Sequence, residues 1–105
     1  MIYRGTPASS GKFTGKVIHV DNINKLYKVE PSSIVVVKDN SPLFGLAFLK
    51  AGAIVSEVGG QLSHLAIISR EIGTPCILNV KNAFSNLKEG AIISVNADKG
   101  EITIE

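Results

Sequence analysis

Residues Ile34-Val35-Val36-Val37 form an unbroken β-branched run. Four such residues in a row are too short for a helix and too apolar for a strand with one wet face. The run therefore reads as a strand buried in the interior, extending over Ile34 to Lys38. The rest of the chain has to supply the cover. With 105 residues, 45% of them hydrophobic and 19% charged, it has the material for one packed core, and the balance argues against disorder. That length does not hold a nucleotide-binding domain and a second substrate domain as well, so residues 1–105 are expected to form a single domain.

Glycine and proline punctuate the remainder. A short extended segment, Ile2 to Arg4, precedes the turn-rich Pro7-Ala8-Ser9-Ser10-Gly11. Thr14 to Val20 reads as a strand, and the polar stretch Asp21 to Lys25 as a loop. After the buried run, Asn40 or Ser41 can cap a helix that has Pro42 in its first turn and ends at a left-handed Gly52. Ala53 to Val58 reads as a strand broken by Gly59-Gly60. A second helix is predicted from about Leu62 to Ile72, with Leu65, Ile68 and Ile72 on its inner face, supported by Ala66. Gly73 and Pro75 stop it. Pro75 to Val80 reads as a strand and Ala83 to Gly90 as a turn or short helix. Ala91–Ala97 and Glu101–Glu105 form a hairpin around Asp98-Lys99-Gly100. The pattern predicts a mixed α/β domain, sheet packed on sheet with helices on one side.

Several function classes are disfavoured. The net charge is only +2, there is no Trp, and aromatics make up 6%, so the basic stripe with stacking side chains that a nucleic-acid surface needs is missing. Cys76 is the sole cysteine, which excludes an internal disulfide and a Cys-rich metal site. His19 and His64 lie far apart in the sequence, so no metal ligand set is assigned. No signal-peptide pattern and no apolar run long enough for a bilayer occur, so the expectation is a cytoplasmic protein without a membrane partner. Walker-type and dinucleotide fingerprints are absent.

Chemistry concentrates in Val58-Gly59-Gly60-Gln61-Leu62-Ser63-His64-Leu65-Ala66-Ile67-Ile68-Ser69-Arg70. A strand ends, two glycines turn the chain and permit close approach, and a helix begins with a histidine in its first turn. A helix N-terminus offers unpaired N–H groups and the positive end of the dipole, which together attract anions. Such a cradle suits a phosphoryl group in transfer and the phosphohistidine it leaves.

These residues resemble a known signature. Gly59-Gly60-x-x-Ser63-His64-x-Ala66-Ile67-Ile68-x-Arg70-Glu71-x-Gly73-x-Pro75 is similar to the phosphohistidine motif of phosphoenolpyruvate-utilising enzymes, the family of pyruvate phosphate dikinase, phosphoenolpyruvate synthase and rifampicin phosphotransferase. Enzyme I of the sugar phosphotransferase system is a more distant relative. The likeness spans nearly the whole chain, from Gly5-x-Pro7-Ala8-Ser9-x-Gly11 through Ile34–Val37 with Asn40-Ser41-Pro42, and Ala51–Val55, to the closing hairpin. It implies a swivelling β/β/α domain. It also implies that His64, through Nε2, carries a phosphoryl group received from an ATP-grasp domain or subunit. The group would pass to a phosphoenolpyruvate- or pyruvate-binding unit, or to another acceptor. Mg-ATP would bind on the partner, and no cofactor on this chain. The chain would then be a phosphotransferase component needing partners for full catalysis. In two places it departs from the pattern. Leu62 stands where many members have a Thr, which in plant-type dikinases is a regulatory phosphorylation target. Leu65 stands where many have Ala, a change expected to alter docking.

The candidate site is thus His64 as nucleophile, with Gly59, Gly60 and Ser63 binding or positioning phosphate. Ser63 is equally readable as a plain helix cap. Arg70 lies roughly 240° around the helix and about 9 Å along it from His64. It is therefore assigned to docking or structure rather than to the phosphate. His19 is assigned to packing, and Cys76 to the core. The competing reading is a non-catalytic swivelling module for docking or regulation. A sugar-transport phosphocarrier would keep the chemistry and change the partners.

Overall fold

A computed structural model describes residues 2–21, 23–38, 50–59 and 63–105. The helix expected between Asn40 and Lys50 lies outside the described residues. Strands β1 (Ile2–Arg4), β2 (Thr6–Ser9), β3 (Lys12–His19), β4 (Ser33–Val37), β5 (Ala53–Ser56), β6 (Cys76–Leu78), β7 (Ile92–Asn96) and β8 (Glu101–Ile104) form one sheet in the order β1-β8-β7-β3-β4-β5-β6-β2. Its centre, β3 to β6, is parallel, and antiparallel strands flank it on both sides. The described helices are α1 (His64–Ile72) and the short α2 (Ala83–Asn86), with a 3-10 helix at Ile23–Lys28. The last corrects the loop reading of Asp21 to Lys25 from Ile23 onward.

β1 and β2 are consecutive in sequence yet stand at opposite ends of the sheet order. Only Gly5 separates them, so the sheet curls until its two ends meet. The Gly5 N–H donates to Gly100 O at 3.0 Å. A Cβ on Gly5 would lie 2.5 Å from Leu78 O, and one on Gly100 would fall on Gly5 O. No side chain fits in this seam.

The curl creates two apolar layers, and the β-branched run serves both, since alternate residues point to opposite faces. Ile34 and Val36 join Val17, Ala53, Val55, Ile77, Ile93, Val95 and Ile102 inside the fold. Val35 and Val37 join Ile54, Cys76, Leu78, Leu65 and Ala66 beneath α1. The mixed α/β sandwich expected from the sequence is what the chain forms, its two β layers being halves of one continuous sheet. α2 contributes Ala83 to the inner layer.

Three local expectations need correction. The stretch at Pro7 to Gly11 is not all turn, because Thr6–Ser9 pairs with β6. Proline is tolerated there because β2 ends the sheet order and bonds on one side only. Gly52 is not left-handed. The Phe13 ring occupies the place of its Cβ, so close approach explains the glycine. The buried face of α1 is Leu65, Ala66 and Ser69, while Ile72 is exposed. Small residues at 66 and 69 let the helix lie close to β2. Leu65 fills the core rather than facing a partner, so its size does not bear on docking directly.

Cys76 is buried under α1. Burial pushes its thiol up from 9.0 to about 11, and the neighbouring Ser69 hydroxyl and Arg70 charge pull back only in part. The Ser69 hydroxyl still makes no hydrogen bond of good geometry. Between these two values the folded chain keeps a proton that the unfolded chain has lost, so stability falls as pH rises through that interval. Going from pH 9 to pH 11 is expected to cost the wild type roughly 2 kcal/mol more than Cys76→Ala, measured by chemical denaturation at both pH values. Equal losses in the two proteins would contradict the assignment.

Candidate functional site

The site begins where β5 ends. Ser56, the last residue of β5, is fully buried, and its Oγ accepts the Val58 N–H at 3.3 Å. Neighbouring segments hold this exit from both sides. Glu57 N–H donates to Val37 O at 3.0 Å, from β4. From the segment after β6, Val80 N–H donates to Ser56 O at 3.0 Å and Asn79 N–H to Val58 O at 3.4 Å. The Glu57 carboxylate accepts the Phe84 N–H at 2.8 Å. Gly59 then takes φ 102°, a conformation that side chains rarely allow. Gly60, Gln61 and Leu62 lie outside the described residues.

The chain next enters α1. Ser63 is extended, with φ −69° and ψ 157°, and its Oγ accepts the Ala66 N–H at 3.3 Å. That is the geometry of an N-cap. Its carbonyl accepts the Ile67 N–H at 3.1 Å, the first main-chain bond of the helix. The N–H groups of His64 and Leu65 precede that bond and have no partner within the helix. His64 is the first helical residue, and it is exposed.

The far end of α1 is anchored. Gly73, left-handed at φ 73°, donates its N–H to Ser69 O. Ser9 Oγ donates to the same carbonyl at 3.2 Å, and Arg70 Nε donates to Ala8 O at 2.7 Å. Arg70 thus ties α1 to β2, in keeping with a structural role. Because Ser9 pairs with Cys76 at the start of β6, the C-terminus of α1 lies over that start. A nine-residue helix is about 13 Å long, so its N-terminus reaches the opposite end of β6. That is where Asn79 meets Val58. His64 therefore stands on the rim formed by the C-terminal ends of the parallel strands.

His19, on β3, is set apart in chemistry. Its ring stacks on Phe84 with centroids 4.1 Å apart, and its Nε2 pairs with Leu87 O. Its backbone N–H donates to Glu89 at 3.0 Å and, together with Lys28, holds that carboxyl below the usual range. No helix among the described residues is long and apolar enough to cross a membrane.

Sequence reasoning missed the bonds from residues 79–84 that fix the β5 exit. They join segments more than twenty residues apart and have no local signature. It also missed the exposure of Ile67, which the helical period could have signalled through its three-residue spacing from His64.

This geometry defines a class: a small, curled α/β unit that presents an exposed imidazole at a helix start next to a glycine turn. Comparison with known proteins narrows it. The family model of the mobile domain of PEP-utilising enzymes matches residues 29–100. The phosphotransferase YvkC of Bacillus subtilis is 40% identical over 100 residues, covering 95% of this chain and 12% of the relative. Phosphoenolpyruvate synthase of Pyrococcus furiosus is 36% identical with the same coverage, 95% and 12%. Among solved structures, Enzyme I superposes with a TM-score of 0.63 at 24% identity, covering 74% of this chain and 32% of that one. Aconitase X of Thermococcus kodakaraensis superposes at 0.74 with 20% identity, covering 100% and 98%, a likeness of fold alone. The chain belongs to the PEP-utilising enzyme mobile-domain family. It spans 12% of the length of these curated relatives, so the family's setting is one of further partner domains.

Proposed function

We propose that residues 1–105 act as one phosphoryl-carrier domain whose acceptor is His64. The observation that carries this reading is the exposed imidazole at the first position of α1, beside Gly59, in a chain of the PEP-utilising mobile-domain family. In the neutral ring, the Nε2 lone pair attacks phosphorus. An N–P bond forms as the P–O bond to the leaving group breaks, and that electron pair stays with the leaving oxygen. The first-turn N–H groups of α1, with the glycines Gly59 and Gly60 ahead of them in the sequence, stabilise the phosphoryl oxygens. Ser63 keeps that helix start in shape through its bond to the Ala66 N–H. Transfer to the acceptor reverses the step.

Mg-ATP binds on an ATP-grasp partner rather than on this chain, and the acceptor site lies on a phosphoenolpyruvate- or pyruvate-binding unit. The test adds purified chain to extract of the source organism with labelled ATP or, separately, labelled phosphoenolpyruvate. The expected product is acid-labile and base-stable, the signature of phosphohistidine. An acid-stable product, or no product while the extract's charging activity is present, would overturn the reading in favour of a docking module.

A further inference from the structure

Glu57 is an acidic residue two positions ahead of Gly59, on the strand exit that leads to the candidate site. Left facing that site it would work against the chemistry, because its charge repels an arriving phosphoryl group. The fold turns it away. Ile54 packs beneath α1 and Val55 in the inner layer, so the alternation of β5, carried one residue past its end, directs Glu57 to the side opposite α1. There its carboxylate accepts the Phe84 N–H at 2.8 Å.

α2 has need of that acceptor. Its N-cap residue, Asn82, is left-handed at φ 57° and makes no side-chain cap bond, so Glu57 serves a first-turn N–H that a cap would otherwise serve. α2 is itself seated in the core through the buried Ala83 and Leu87. The bonds close a ring. Val80 N–H donates to Ser56 O at 3.0 Å, Ala83 N–H donates to Val80 O at 3.2 Å, and Phe84 N–H returns to Glu57. Two consecutive residues of the exit are thus gripped by one segment, Ser56 through its carbonyl and Glu57 through its side chain. That double hold sets the direction in which Val58 and Gly59 leave β5.

We propose that Glu57 is a positioning residue for phosphoryl transfer at His64, acting through the hydrogen bond its side chain accepts and not through its charge. The proposal rests on the carrier reading. Phosphoryl transfer draws its rate from positioning and from donors already aimed at the phosphoryl oxygens, so a slack exit ahead of Gly59 lowers the rate without removing the nucleophile.

Three variants of the full chain test this. Glu57→Gln keeps an acceptor oxygen at the same reach and removes the charge. Glu57→Asp keeps the charge and shortens the reach, and Glu57→Ala removes both. Each is labelled with phosphoramidate, a small donor that needs no partner protein, at a temperature where its melting curve shows it folded. Label on His64 is counted by tandem mass spectrometry. Glu57→Ala is expected to label about tenfold more slowly than the wild type, and Glu57→Gln to stay within about twofold of it with an unchanged pH profile. A wild-type rate in folded Glu57→Ala would overturn the proposal. An equal fall in Glu57→Gln, or a shift in its pH profile, would also overturn it by assigning the effect to charge. Should Glu57→Ala not fold, Glu57→Asp decides: slower labelling supports the proposal, and a wild-type rate overturns it. A wild-type chain that phosphoramidate labels, but that neither ATP nor phosphoenolpyruvate labels in extract, would overturn the carrier reading itself, a result separate from the comparison among the variants.

Discussion

Replacing His64 with alanine reduces labelling from ATP or phosphoenolpyruvate to background and leaves the fold untouched. The first half follows from covalent catalysis: removing the atom that forms the bond leaves no slower route through the same intermediate. The second follows from placement. His64 is exposed at the first helical position, and the cap that starts the helix belongs to Ser63. Surface substitutions of this kind change stability by about 0.5 kcal/mol or less, equivalent to no more than about 4 °C in melting temperature for a chain this size. His19→Ala is the matched control, with the opposite profile. It removes the stack on Phe84 and the bond to Leu87 O, so it lowers the melting temperature and leaves labelling intact. Persistent acid-labile label in His64→Ala would reject the assignment, and a collapse of its fold would show the residue to be structural.

A second large effect is expected at the seam. Gly5→Ala sets a methyl group 2.5 Å from Leu78 O and 2.5 Å from Val80 Cγ2. The first of these neighbours is backbone in the sheet and cannot rotate away. Relief requires β1 or β2 to shift, which breaks the Gly5 to Gly100 bond and opens the curled sheet. The expected cost is about 3 kcal/mol or more, a large share of the roughly 5–15 kcal/mol that holds a domain of this kind. Denaturant midpoints would measure it. A loss below about 1 kcal/mol would mean that the sheet ends are not locked together. Gly73→Ala is the contrasting case, because its Cβ would meet nothing within 4 Å and only the left-handed φ is penalised.

The elements that were legible in the sequence are those with local causes. The β-branched run at β4, the hairpin of β7 and β8, and the start and stop of α1 at Ser63 and Gly73 each follow from neighbouring residues. β2 was hidden because Pro7, Ser9 and Gly11 carry turn chemistry, and its strand character comes only from pairing with β6, about seventy residues away. The inner face of α1 was misread for a related reason. Leu65 and Ala66 are buried as the period implies, but the period also favours Ile68 and Ile72, whereas the close approach of β2 selects the small Ser69. For the candidate site, His64, Ser63 and Gly59 stood out as local signals. The bonds from Asn79, Val80 and Phe84 to the β5 exit depend on the parallel sheet, so no local pattern marks them.

The most direct test of the carrier account is to locate the phosphoryl group itself. The wild-type chain would be charged in extract and purified at alkaline pH. It would then be examined by phosphorus NMR, with tandem mass spectrometry to assign the residue. One phosphoramidate signal is expected, from Nε2 of His64, at up to one phosphoryl group per chain. A phosphoryl group found on His19, or on a serine, threonine or lysine with His64 unmodified, would contradict it.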